Sequence, residues 1–311
     1  MQAVVVDHIN KCYADKVAAL RDVSFTVNQG EIFGLVGPDG AGKTSLFNIM
    51  TTLLFADTGT VTLLDNDVEN DYKKVRSIIG YLPGVFSLYP DLTVEENLRF
   101  FATMYKSSLK DNMPIIRPIW GQLSPFKTRK AGKLSGGMKQ KLALCCALIH
   151  KPEILFLDEP TTGVDPVSRK EFWDILKSIQ KQNITVVVST PYMDEATRCD
   201  RIALIQNGEI IKIDPPVKIV KEFNGTLYSI RVKQIFETLD VMERCPIDSN
   251  FYPYGEYVHV VFYDKDTTTI KERFAAFLNE NGVEYTDMEE IAPSIEDCFI
   301  ELMERRDGVQ Y

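Results

Sequence analysis

At 311 residues the chain exceeds a typical single domain, so two domains are expected. The hydrophobic set makes up 45% and charged residues 25%, an ordinary globular balance with enough apolar mass for a real core. The net charge of −9, from 44 acidic against 35 basic side chains, argues against nonspecific nucleic-acid binding, which needs clustered Lys and Arg to release counterions.

The first 16 residues lack a basic region followed by a sustained apolar stretch, so no signal peptide is expected. Residues 3–9 and 19–27 read as strands, and Tyr13 lies between them. An aromatic there serves either as a stacking face for a base or as simple packing. The apolar run 32–36 then feeds Gly37, Pro38, Asp39, Gly40, Ala41, Gly42, Lys43, Thr44 and Ser45. This fits the P-loop pattern GxxxxGK[ST] in its required context, a buried strand, a glycine-rich turn and a helix. The glycines let backbone N–H groups curl around phosphate oxygens. Lys43 supplies a compact positive charge, Thr44 a hydroxyl for Mg²⁺, and the helix N-terminus favours the anion.

Residues 59–64 and 78–82 read as further strands, the latter ending in Pro83-Gly84. Thr93 and Glu96 have capping-box spacing and open a helix. From 100 to 133 the pattern is helical, but Pro114 and Pro118 predict short helices joined by turns. Ser135, Gly136 and Gly137 stand just before another helix and form a second site of free backbone N–H groups aimed at an anion. That helix has one buried face, which includes Cys145 or Cys146. The run 154–157 is continuously apolar, as in a covered parallel strand, and ends in Asp158-Glu159-Pro160. Asp158 is placed to hold Mg²⁺ or its water, and Glu159 to polarise an attacking water. A helix near 168–180 and a strand at 184–188 continue the α/β alternation. Ser189-Thr190-Pro191 ends that strand and leads to a helix at 192–196. A hairpin over Asn207-Gly208 follows.

Taken together, the P-loop, Leu134-Ser135-Gly136-Gly137-Met138-Lys139-Gln140, Ile154 to Pro160 and the following Asp165 resemble the ATP-binding cassette of ABC transporters. Within that family the strings around the P-loop and Ser135 are similar to bacterial multidrug-type exporter subunits. The resemblance covers roughly residues 1–222, with a helical signature subdomain at about 85–150, and implies a P-loop NTPase α/β fold. It implies ATP and Mg²⁺ as ligands and head-to-tail pairing with a second cassette. Each ATP is then held by the P-loop, Asp158 and Glu159 of one subunit and by Ser135, Gly136 and Gly137 of the other. Tyr13 matches the adenine-stacking aromatic, Asp165 the residue linking the two sites, and the region 89–133 the contact with a separate permease subunit. The implied location is peripheral, on the cytoplasmic face of the membrane.

Two positions depart from the family. Gly84 stands where a glutamine normally touches Mg²⁺ and the water, and Pro191 where a histidine contacts the γ-phosphate. Neither supplies a side-chain donor or acceptor. Loss of such a group commonly lowers rate by on the order of 10² to 10⁴. Two readings follow: an ordinary homodimeric ATPase that tolerates both changes, or a slow site whose signature completes the site of a different cassette. A soluble ABC protein acting on ribosomes or DNA is a poorer match, because there is one P-loop, one signature and no extended heptad run.

Residues 223–311 fall outside the P-loop pattern and read as a small α+β domain, with strands at 227–232 and 257–262. One helical stripe ends at Gly282; another follows Ser294 and Asp297, spaced as a capping box. Six scattered cysteines (Cys12, Cys145, Cys146, Cys199, Cys245, Cys298) without CxxC spacing predict reduced thiols rather than a metal cluster. No stretch approaches the apolar length of a membrane helix, and the expectation is a soluble cytoplasmic chain.

Overall fold

The computed structural model describes residues 1–14, 17–263 and 267–307. The chain divides into two compact units, Met1–Pro216 and Val217–Tyr311.

The first unit opens with β1 (Gln2–Cys12) and β2 (Ala18–Asn28), an antiparallel pair. Then come β3 (Ile32–Val36), α1 (Lys43–Met50), β4 (Thr58–Leu63), β5 (Asn66–Asp67), α2 (Tyr72–Ile78) and β6 (Ile79–Leu82). Three helices follow: α3 (Val94–Met104), α4 (Leu109–Leu123) and α5 (Gly136–Leu148). The unit closes with β7 (Ile154–Asp158), α6 (Pro166–Gln180), β8 (Thr185–Thr190), β9 (Arg201–Gln206) and β10 (Glu209–Asp214). One sheet runs β2-β1-β4-β5 and the other β10-β9-β3-β8-β7-β6. In the second, β9, β3, β8, β7 and β6 are parallel and β10 is an antiparallel edge. Every residue of β3, β7 and β8 is buried, the outcome expected of apolar strands covered on both faces. A shared core joins the two sheets through α1: Phe25 stacks on Phe33 at 5.2 Å, and Phe47 meets Phe156 edge-on at 5.9 Å. Because the strands are parallel, the C-terminal ends of β3, β8, β7 and β6 lie side by side. That is where an open α/β sheet places its ligand crevice.

Two local expectations are corrected. Pro114 and Pro118 do not divide their segment; both lie inside the continuous 15-residue α4. Four residues apart, they share the exposed face, so the Lys110 and Pro114 carbonyls that lose their intrahelical donors are turned to solvent. The buried face, with Ile115, Ile116, Ile119 and Leu123, keeps the helix in place. Residues after Pro191 form a 3₁₀ helix (Met193–Arg198), not an α-helix from 192. The capping box at Thr93 is present, with Glu96 N–H donating to Thr93 Oγ1 at 3.2 Å and Thr93 N–H to Glu96 Oε2 at 2.8 Å.

The second unit contains α7 (Pro216–Lys221, entered from the first unit), β11 (Thr226–Val232), α8 (Ile235–Met242), β12 (Ser249–Tyr254) and β13 (Tyr257–Phe262). It ends with α9 (Thr267–Glu280), β14 (Tyr285–Ile291) and α10 (Ile295–Asp307). Its antiparallel sheet runs β12-β13-β11-β14. Ile230, Val258, Val260, Phe262 and Phe274 build its core. The strands β12 and β14 and the helices α7 and α8 were not expected. Cys145, Cys146, Cys199 and Cys298 are buried, and all six thiols are free. Among the described residues no helix is long and apolar enough to cross a membrane.

A buried carboxylate anchors α10 to this sheet. Asp297 accepts from Ser294 N–H at 2.7 Å and from Tyr252 Oη at 2.8 Å, and lies 2.7 Å from His259 Nδ1. Burial pushes its pKa up, but the contacts with His259, Ser294 and Tyr252 outweigh it and hold the group at about 2. A folded pKa below the unfolded value means that the stabilisation, about 2 kcal/mol, is complete above about pH 4 and is lost toward pH 2. Denaturant titrations of wild type and Asp297→Asn are therefore expected to differ most above pH 5 and to converge as the pH falls to 2.

Candidate functional site

The turn after β3 is shaped by positions that accept no Cβ. At Gly37 a Cβ would lie 2.1 Å from the Ile205 carbonyl oxygen. Gly42 has φ +104°, and a Cβ there would lie 2.4 Å from the Ala19 carbonyl oxygen. Gly42 is also the N-cap of α1, so no capping side chain occupies the first N–H groups of that helix. The turn thus presents free amides and the positive end of a helix to whatever enters.

Lys43 is nearly fully buried, and its ammonium is held by the loop itself. Nζ donates to the Gly37 and Pro38 carbonyls at 2.8 and 2.9 Å and lies 3.1 Å from Glu159 Oε1. Asp39, at 4.0 Å, is largely in solvent. Glu159 follows the end of β7 in a left-handed backbone conformation, φ +47°, which a non-glycine residue holds only against local strain. Its N–H donates to Ser189 Oγ at 2.9 Å and is 3.2 Å from the Ser189 carbonyl. Asp158, its neighbour, is buried and accepts from Ser189 Oγ at 2.6 Å and from the Thr44 hydroxyl. Burial raises the Asp158 pKa, while the bonds from Ser189 and Thr44 pull it back. A hydroxyl and a carboxylate side by side are the hard oxygen donors that Mg²⁺ takes together with phosphate and water.

Beside the turn lies a cavity of about 510 Å³ whose lining includes Tyr13, Gly40, Gly42, Lys43, Thr44, Ser45 and Glu159. Tyr13 is 44% exposed, and its hydroxyl is 3.0 Å from Ser45 Oγ. The ring is therefore positioned by the helix that carries the turn, with a face left to solvent. Ala41 is buried, packing the loop onto the core.

Ser135, Gly136, Gly137 and Asp165 do not line this cavity. They form a second cluster. Ser135 caps α5, accepting from Met138 N–H at 3.4 Å, and Gly136 is exposed. A Cβ on Gly137 would lie 2.9 Å from Ser168 Cβ, so this glycine allows α5 to approach α6. Asp165 caps α6, accepting from Ser168 N–H at 3.0 Å, and that bond lowers its pKa. The two departures from the family fall at the first cluster. A Cβ on Gly84 would start 3.3 Å from the Asp158 carbonyl, and Pro191 directly follows Thr190, whose carbonyl accepts from Gly37 N–H at 3.3 Å.

Ser189 was not identified from the sequence. Its role depends on register, Asp158 opposite Ser189 in β7–β8, which sets its hydroxyl against the Asp158 carboxylate and the Glu159 N–H. The one available signal was a polar residue closing an apolar strand beside the P-loop strand.

Comparison with known proteins places the chain among ABC transporter ATP-binding subunits. A family model described as "ABC transporter" matches residues 20–162. The chain is 44% identical over 202 residues to the probable multidrug ABC transporter ATP-binding protein YbhF of Escherichia coli K12, covering 64% of this chain and 35% of that protein. It thus spans about a third of that relative's length. It is 36% identical over 221 residues to the Nod factor export ATP-binding protein I of Burkholderia lata, covering 70% of this chain and 72% of that one. Among solved structures, an ATP-binding subunit of an ABC transporter superposes with TM-score 0.65 at 25% identity, covering 71% of this chain and 93% of the other. A dimeric cassette in a post-hydrolysis state, bound to ADP and Pi, gives TM-score 0.61 at 26% identity, with coverages of 68% and 98%.

Proposed function

Since the chain belongs to the ABC transporter family of ATP-binding cassettes, we propose that it is the ATP-binding and ATP-hydrolysing subunit of a membrane exporter. The observation that carries this is the convergence of Lys43, Thr44, Asp158 and Glu159 at neighbouring strand ends, tied by a 3.1 Å Lys43–Glu159 contact and the Thr44–Asp158 bond. In this reading the amides of 37–44 and Lys43 hold the phosphates, Thr44 and Asp158 hold Mg²⁺, and Glu159 orients and deprotonates the attacking water. Bound Mg²⁺ supplies neutralisation of the charge that builds on the transferring phosphoryl group. Tyr13 offers its ring to adenine.

The separation of Ser135–Gly137 and Asp165 from the cavity supports their use on the ATP of a second cassette, paired head to tail. Tyr89, Phe100 and Met104, exposed on and beside α3, support a permease contact within 89–133. We assign residues 1–222 to the cassette, with the signature subdomain at about 85–150, and 223–311 to an accessory domain. The subunit then sits peripherally at the cytoplasmic face, and the names of its relatives support export.

Mg²⁺-dependent phosphate release from ATP by the purified chain is the test; failure to bind ATP overturns the reading. Gly84 and Pro191 favour a second reading, a slow site whose signature serves a different cassette. Gly84→Gln separates the two. A rise in turnover of about tenfold or more supports the slow site, and unchanged turnover leaves the homodimer with Glu159 sufficient.

A further inference from the structure

Behind the carboxylates lies a second polar network that the proposed chemistry does not use. Its centre is Glu195, in the 3₁₀ helix after Pro191 and only 3% exposed. A carboxylate so buried needs a donor for each oxygen and a cation nearby, and Glu195 has all of these. Oε2 accepts from Thr190 Oγ1 at 2.7 Å and from Thr161 Oγ1 at 3.1 Å. Oε1 accepts from Arg169 Nε at 3.1 Å, with a second guanidinium nitrogen also at 3.1 Å. The Arg169 guanidinium lies over the Tyr192 ring at 4.1 Å, which fixes its plane.

The three donors come from the three segments that carry the site. Thr190 follows Ser189, which holds both Asp158 and Glu159, and its carbonyl takes the Gly37 N–H. Thr161 lies two residues after Glu159 and begins the turn to Asp165, its carbonyl accepting from Val164 N–H at 3.1 Å. Arg169 sits one turn into α6, its N–H bonded to the Asp165 carbonyl at 2.9 Å. One carboxylate therefore locks the end of β8, the segment 159–165 and the start of α6 into a single geometry. With Gly84 and Pro191 at the neighbouring positions, no side-chain polar group from either holds the reacting end of the site.

We infer that Glu195 is a positioning residue: it holds Glu159 and Asp165 in register with the P-loop, and it sets turnover rather than ATP affinity. The inference rests on the proposed ATPase reading. A displacement of about 1 Å in a positioned group is enough to lower a rate by on the order of a hundredfold.

The test is ATP affinity and phosphate release on the intact chain with Glu195→Gln, Thr190→Val and Thr190→Ser. Gln keeps the volume but loses the charge, Val keeps the shape but loses the hydroxyl, and Ser restores it. Expected are a ten- to hundredfold lower kcat for Gln and Val, ATP affinity within about threefold of wild type, and near wild-type kcat for Ser. The Glu195→Gln/Thr190→Val double variant is expected to fall no further than the worse single one. Unchanged kcat in folded Glu195→Gln overturns the inference. So does a parallel loss of affinity, kcat and melting temperature in Glu195→Gln and Thr190→Val, which marks a merely structural role. A wild-type chain that binds ATP through Lys43 without turning it over overturns the inference and leaves nucleotide binding standing; a chain that binds no ATP removes the ATPase reading itself.

Discussion

Lys43→Ala is expected to remove ATP turnover and to weaken ATP binding by about a hundredfold or more, which corresponds to about 3 kcal/mol. The side chain is 3% exposed and its ammonium lies at the centre of the phosphate-binding turn, so no solvent lysine can replace it. The same nitrogen binds the Gly37 and Pro38 carbonyls and faces Glu159. The substitution therefore also removes the counter-charge of Glu159 and two donors that close the loop. A loss of melting temperature is expected beside the loss of binding, and Lys43→Arg does not restore function, because a planar fork does not fit where a compact ammonium is enclosed. Calorimetric titration with ATP and Mg²⁺, with a thermal melt of each variant, checks both effects. Turnover that survives Lys43→Ala contradicts the proposed site.

Glu159→Gln is expected to lower turnover by on the order of 10² to 10³ while leaving ATP affinity equal or improved. Gln preserves the volume and the 3.4 Å contact with Thr162 Oγ1, so the fold around φ +47° is retained. What it removes is the carboxylate that accepts a proton from water, together with one negative charge close to the bound phosphates. Blocked hydrolysis leaves the ATP-bound form populated, and a cassette that pairs through ATP then accumulates as the pair. Phosphate release and size-exclusion chromatography with ATP measure the two consequences. The assay is also informative in a complex with a permease: a purely structural nucleotide site is indifferent to the change.

The parts legible in the sequence were those whose chemistry is local. The P-loop turn is a matter of consecutive glycines, the Thr93–Glu96 and Ser294–Asp297 boxes of a three-residue spacing, and β7 of an apolar run ending in acids. Ser189 and Glu195 escaped because all their partners but Thr190, five residues before Glu195, lie 26 to 34 residues away and meet them only through strand register and helix packing. The two prolines of α4 misled for a related reason. A helix-breaking residue is judged by what its neighbours leave unsatisfied, and on the exposed face water satisfies it. In the second unit β12 contains Pro253 and β14 is mostly polar, so neither reads as a strand. Both are edges, where a missing N–H and outward charges are tolerated.

The position of β3 bears on how the protein is made. Its hydrogen-bonding partners on its two sides are β8 and β9, at residues 185–190 and 201–206. An apolar strand synthesised early thus waits for about 170 further residues, some 10 to 30 s at ribosomal rates, before both of its edges are paired. Pairings of such sequence separation carry a loop-closure cost that slows folding. The phosphate-binding turn, which hangs from β3 and packs Gly37 on the Ile205 carbonyl, accordingly cannot be completed until β9 is available. Nascent or truncated chains ending before residue 185 expose a fully apolar strand with two open edges, an aggregation hazard that the finished molecule conceals.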